Sequence, residues 1–208
     1  MFLVLDFTQS LRLAIINNEK LIIKEIKTKK NISEILIFEI EKFLKNSKTS
    51  IKNIKSICVV KGPGSFTGIR SALTFAKSIK LTSKIDIFGV SKFEIVNFKI
   101  QLDQLNKKKC ILLHFKGSQF FMQTFKGYKA LDEAKLIDFN KEEFRYSKQI
   151  LYVYDNIIFE DCLGKKLRKD IFKNLLLVEY NLNEFKESIV NNTIDNFDPK
   201  PLYISNYY

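Results

Sequence analysis

The segment Gly62-Pro-Gly-Ser-Phe-Thr-Gly68 constrains this chain more than any other feature. It follows the apolar run Ile57-Cys-Val-Val60 and precedes a run of helical periodicity, so it reads as a strand–loop–helix joint. Gly62 and Gly64 permit a positive φ or a close backbone approach. Pro63 stiffens the turn. Ser65 or Thr67 can accept from the first N–H groups of the helix, and Gly68 lets another element come close to the first helical turn. A joint of this kind presents N–H groups and the positive end of a helix dipole, which can hold an anion. The spacing excludes two common phosphate loops. Ile69 stands where a P-loop needs Lys, and Thr67 stands where a dinucleotide fingerprint needs Gly. From the pattern alone, a phosphate site and a purely structural loop both stay open.

The flanking segments predict an α/β arrangement with a mixed sheet. Phe2–Leu5, Arg12–Ile16 and Leu21–Ile26 read as three short strands, with a turn at Asn17-Asn18. Asn31 and Glu34 form a capping-box pattern ahead of a helix over Ile32–Lys45. That helix is apolar over well over half its circumference, more than the stripe of roughly 100° that a surface helix hides. Either it is sandwiched or its outer flank meets another protein. A strand over Ile54–Val60, a helix from Thr67 to about Leu81, a strand over Ile85–Val90 and a further helix capped by Ser91 and ending near Lys107-Lys-Lys109 follow. The lysine run is the candidate boundary between a lobe over 1–106 and a lobe over 107–208, with a tail that can return to the first. Cys110–Phe115, Phe120–Phe125 and Ile150–Tyr154 read as strands and Asn183–Val190 as a helix. A short helix is expected near Glu142, and Leu175–Val178 is ambiguous. No internal repeat is visible.

Several chemistries are excluded by residue supply. His114 is the only histidine, so no two-histidine metal motif exists and a serine triad would have to recruit a strand-end residue. No metal site is expected. Cys58, Cys110 and Cys162 form no C-x-x-C pair and read as buried thiols. No apolar stretch reaches the length of a membrane span. The start, MFLVLDFTQS, lacks the basic region of a signal peptide, so a cytoplasmic protein is expected. The net charge of +12 suggests a polyanionic partner, yet only four of the 35 basic residues are Arg. Lys-rich composition suits solvated surfaces as well as phosphates, and it argues against base readout, which uses the bidentate Arg fork.

The residues Gly62-Pro-Gly-Ser-Phe-Thr-Gly-Ile-Arg70, followed by Ala72, Ala76 and the strand end Gly89-Val-Ser91, resemble the TsaB (YeaZ) family of bacterial tRNA threonylcarbamoyladenosine synthesis. Leu3-Val-Leu-Asp6 with Thr8 resembles that family's first strand and turn. Phe115-Lys-Gly-Ser-Gln-Phe-Phe121 resembles its second-lobe turn, and Pro201-Leu-Tyr-Ile204 its terminal motif. His114 and Gln119 replace the usual Asp and Glu there, and Ser205 replaces the closing Arg.

The resemblance implies an actin-like (ASKHA, ribonuclease H-like) fold of two lobes, each a mixed sheet flanked by helices, the second reduced. It implies a non-catalytic scaffold that dimerises with a TsaD-type catalytic subunit, works with a TsaE-type ATPase, and meets tRNA within the complex. A homodimer is possible when it is alone. ATP or ADP with Mg²⁺ is expected only at the partner or the complex interface. Asp6 and Thr8 then form a vestigial phosphate turn. The family's dimer surface maps onto Ile32–Lys45 and Thr67–Leu81, with Ile37, Glu41, Leu44, Arg70, Thr74 and Lys77 as candidate interface residues. Two other functions compete: an actin-like ATPase or transferase using Asp6, Thr8 and the Gly62–Gly68 loop, and a basic RNA-binding module, which needs aromatics interleaved with Lys on an open face.

Overall fold

The computed structural model describes residues 1–17, 20–28, 30–100, 106–139, 150–154, 175–178 and 199–204. The chain divides into Met1–Lys92 with Leu182–Leu202, and Phe93–Asn181 with Tyr203–Tyr208. The division thus falls at 92/93, within a helix, and not at the lysine run.

In the first unit, β1 (Phe2–Asp6) lies beside β2 (Leu11–Ile16) and β4 (Ser56–Val60), with β3 (Leu21–Ile26) and β5 (Asp86–Val90) at the edges. The order is β3-β2-β1-β4-β5. The first three strands run antiparallel, and β1, β4 and β5 run parallel. The near-continuous apolar sequences of β1 and β4 suit strands covered on both faces, and both are buried along almost their whole length. On one face Leu3, Leu5, Leu13, Ile15, Ile57 and Val59 recur with a period of two. They pack against α1 (Ile32–Asn46) and α2 (Phe66–Thr82). α1 ends in a Schellman motif: Lys48 takes φ 53°, its N–H donates to Lys45 O, and Thr49 N–H donates to Leu44 O.

The second unit repeats the plan. β6 (Lys108–Lys116) pairs antiparallel with β7 (Gln119–Lys126) and parallel with β10 (Leu151–Tyr154), which pairs parallel with β11 (Leu175–Leu177). The far edge of β7 is shared by β8 (Lys129–Ala130) and β9 (Lys135–Asp138). The first strand of each unit is therefore central, a hairpin leads away from it on one side, and parallel strands extend the other. This repeat has no trace in the sequence, because strand order is set by pairing and not by residue identity.

Two expectations are revised and one open reading is settled. α3 (Lys92–Phe98) ends well short of the lysine run, where Lys99 and Ile100 donate to carbonyls only three residues back and tighten the last turn. Lys108 and Lys109 belong to β6, and Lys109 is fully buried, so the run is no solvated linker. Leu175–Leu177 is a strand. The helices expected near Glu142 and over 183–190, together with Cys162 and Ser205, lie outside the described residues.

Candidate functional site

β1 ends on Asp6, and the turn after it is tied to its own backbone. Asp6 Oδ1 accepts from the Thr8 N–H at 3.0 Å and the Thr8 hydroxyl at 2.6 Å, and both residues are buried. Across the β1–β2 register stands Arg12, whose guanidinium lies 3.9 Å from Asp6 Oδ2 and 3.4 Å from Glu25 Oε1. The Ser10 hydroxyl donates to Glu25 and, with the Arg12 charge, draws the Glu25 carboxyl below its ordinary value against the opposing effect of burial.

The Gly62–Gly68 loop closes onto this turn. Gly62 has φ 121° and the Gly62–Pro63 peptide is cis. Ser65 N–H donates to Thr8 O at 2.7 Å. A Cβ on Gly64 would collide with the Thr8 backbone and one on Gly68 with the Phe7 carbonyl. These glycines are therefore required by close approach of one chain segment to another. Of the two candidate caps, Ser65 serves: its hydroxyl accepts from Gly68 N–H at 3.2 Å, while its carbonyl accepts from Ile69 N–H. Gly62 O accepts from Lys92 N–H, and Lys61 O accepts from Leu202 N–H, so β5's exit and the C-terminal segment seal the other side. The space that a phosphate would take between the Asp6–Thr8 turn and this loop is filled by backbone packed on backbone. These two turns do not fit a phosphate group between them.

Beyond the loop, the two helices leave a surface uncovered. Ile37 and Phe38 of α1 are each 62% exposed, unusual for adjacent large apolar residues. Between the helices lies a groove of about 500 Å³, lined by Ser33, Leu36 and Ile37 from α1 and by Phe66, Thr67, Arg70, Ser71, Thr74, Phe75 and Ser78 from α2. The Arg70 guanidinium sits 3.8 Å above the Phe66 ring, and both residues line the groove.

Of the six residues expected on a partner face, Ile37, Arg70 and Thr74 line this groove. Glu41 is exposed and Lys77 half-buried, both outside the lining. Leu44 is a correction: it is 5% exposed and belongs to the core. It lies two turns from Ile37 on the same stripe, but at the end of the helix where Thr49 N–H closes onto the Leu44 carbonyl, and its side chain joins the core cluster that also holds Ile54. Phe38, Phe66 and Phe75 were not among the expected interface residues. For Phe38 the signal was the surplus of apolar positions on the first helix, which periodicity cannot divide between inner and outer neighbours; Phe66 and Phe75 lie on α2, where no such surplus was read. His114 is a half-buried strand residue whose Nε2 lies 3.1 Å from Gly117 O and whose ring meets Phe120 edge-on. Gln119 opens β7 opposite Lys116 and Asp138. Burial, with Asp132 nearby, pushes the Cys110 thiol up to about 12. Among the described residues no group of His, Cys, Asp and Glu can hold a metal ion, and no helix is long and apolar enough to cross a membrane.

Comparison with known proteins follows the same lines. The family described as "TsaD: tRNA N6-adenosine threonylcarbamoyltransferase" matches residues 21–144. The tRNA threonylcarbamoyladenosine biosynthesis protein TsaB of Buchnera aphidicola subsp. Schizaphis graminum is 32% identical over 114 residues, covering 52% of this chain and 54% of that protein. The TsaB of Buchnera aphidicola subsp. Acyrthosiphon pisum is 30% identical over 112 residues, 54% and 51% of the two chains. The match thus spans about half the length of these relatives. Among solved structures, YeaZ from Pseudomonas aeruginosa superposes with a TM-score of 0.67 at 10% identity, over 98% of this chain and 99% of that one. A Bacteroides thetaiotaomicron protein with an actin-like ATPase fold gives 0.55 at 12% identity, over 91% and 95%. These two likenesses establish the actin-like fold.

Proposed function

The chain belongs to the tRNA N6-adenosine threonylcarbamoyltransferase (TsaD) family and within it is of the TsaB (YeaZ) type, and on that premise we propose that it is a non-catalytic subunit in threonylcarbamoyladenosine synthesis on tRNA. The observation that carries this reading is the uncovered face of α1 and α2. Ile37, Phe38 and a groove rimmed by Phe66, Phe75 and hydroxyls offer a helical partner an apolar seat with a polar edge. The partner is a TsaD-type catalytic subunit, with a second copy of this chain as the occupant when that subunit is absent. A TsaE-type ATPase and tRNA join the assembly in the cytoplasm, and nucleotide with Mg²⁺ belongs to the partner or to the interface.

The chain's own chemistry supports a supporting role over an ATPase. A carboxylate that orients a metal-bound water needs free lone pairs aimed at substrate. Asp6 spends Oδ1 on Thr8 and faces Arg12 with Oδ2, and the glycine loop spends N–H groups on Thr8 and Ser65.

The test is reconstitution with the TsaD-type and TsaE-type proteins of the same organism, with tRNA and a threonylcarbamoyl donor, read by mass spectrometry of the modified adenosine. Product should form only when this chain accompanies the catalytic subunit, and never with this chain alone. Unchanged product on omitting the chain, or product from the chain by itself, overturns the proposal.

A further inference from the structure

At the turn between β7 and β8, two like-charge pairs stand directly across neighbouring strands. Lys108 is opposite Lys126, and Lys126 is opposite Lys129. All three are exposed. Directly opposed residues project from the same face at a strand spacing of about 4.8 Å, and like charges so placed destabilise a sheet. Ion pairs seen among the described residues include those of Arg12 and Lys24, and none involves these three lysines.

The turn that carries this row is also held by groups that gain little from their burial. The Gly127 carbonyl at its tip accepts from Asn97 Nδ2 at 3.0 Å and from Lys109 Nζ at 3.2 Å. Asn97 is 1% exposed and Lys109 not at all. Burial lowers the pKa of the Lys109 amine, and the Asn97 side-chain oxygen has no hydrogen-bond partner. Beside the tip, Tyr128 stacks on Phe98 with ring centroids 5.0 Å apart and stays 45% exposed. A buried amine and an orphaned amide oxygen therefore fix a turn whose outer charges repel one another. The repulsion along the row finds compensation when a polyanion lies against it.

We propose that Lys108, Lys126 and Lys129, with Tyr128 beside them, are a docking point for an RNA phosphate backbone. Charge complementarity favours this occupant and the aromatic ring sharpens the choice: neutralised phosphates release counterions, and an unpaired base stacks on Tyr128, which an acidic peptide does not exploit. Lysines contact phosphate as point charges and carry no base code, so the contact is independent of sequence. The proposal deepens the function proposed above and rests on it for the choice of tRNA.

The experiment is tRNA binding to the full chain by fluorescence anisotropy across a salt titration. The row variant K108Q/K126Q/K129Q is compared with K52Q/K55Q/K84Q, which removes the same charge from exposed positions in the first unit. The row variant should bind at least tenfold more weakly, with a salt slope shallower by about two, as expected for three lost single-strand contacts. Its melting temperature should not fall, because repulsion is relieved. The control triple should change affinity less than threefold. Equal weakening by both triples, an unchanged row variant, or competition by acidic peptide or anionic vesicles in preference to tRNA overturns the proposal. Light scattering of each variant with the TsaD-type subunit separates the two readings. An intact complex with row-insensitive RNA binding sinks only the docking point, and row-dependent RNA binding without any complex sinks only the partnership.

Discussion

The central strands β1 and β6 occupy the same place in two sheets of the same order, yet their turns are built to opposite rules. After β1, the Asp6–Thr8 turn is buried, bonded to itself and pressed against Gly64 and Gly68 so closely that no side chain fits. After β6, the chain reverses at Gly117 with φ 54°, and a Cβ there would meet nothing within 4 Å. Equal topology therefore leaves turn function free. The first turn is a packing node bonded to the glycine loop, and the second is an open hairpin whose glycine answers a backbone conformation.

The sharpest way to break this contrast is a pair of alanines. Gly68→Ala forces a methyl group onto the Phe7 carbonyl, a backbone atom that cannot rotate aside, and is expected to cost more than about 3 kcal/mol. Gly117→Ala meets only the left-handed conformational penalty, about 1 kcal/mol. Urea denaturation of both variants measures the difference, and equal losses would end the distinction. A second pair probes the polar side of the two regions. Thr8→Val removes a donor from a buried carboxylate and should cost about 2 kcal/mol. Ser118→Ala removes the 2.6 Å bond to Asp138 in a part-buried site and should cost about 1 kcal/mol or less.

How far these features were readable differs by cause. The glycine loop was legible because each of its residues answers a local demand, and the structure uses Ser65 and Gly68 as that demand requires. The strands of both units were largely visible as apolar runs. Lys109 was not, because neighbouring residues of a strand face opposite ways. One residue of register separates an exposed Lys108 from a buried Lys109, and a run of three lysines carries no mark of that parity. Leu44 and Ile37 share a helical stripe, so their opposite burial depends on which distant segment covers each end of α1. That information lies in the packing of Ile51 and Ile54 and not in helical periodicity.

A smaller effect sharpens the second unit's side of the comparison. Burial lowers the folded-state pKa of Lys109, so between that value and the ordinary 10.5 the unfolded chain binds more protons than the folded one. Stability from this group therefore rises with pH across that alkaline window and is lost as pH falls through the lowered folded value. Lys109→Met should flatten the alkaline rise in melting temperature, while Gly127 O keeps its bond from Asn97. A melting curve series that retains the wild-type slope would assign the slope to another group.

The most direct test of the central claim is size-exclusion chromatography with light scattering of this chain and the TsaD-type subunit of its own organism. The wild type should elute as a stable heteromer. Ile37→Asp with Phe38→Asp, both on the exposed flank of α1, should abolish that species while each protein alone keeps its wild-type elution and melting temperature. A double variant that assembles as well as the wild type, or a wild type that never assembles, would contradict the account.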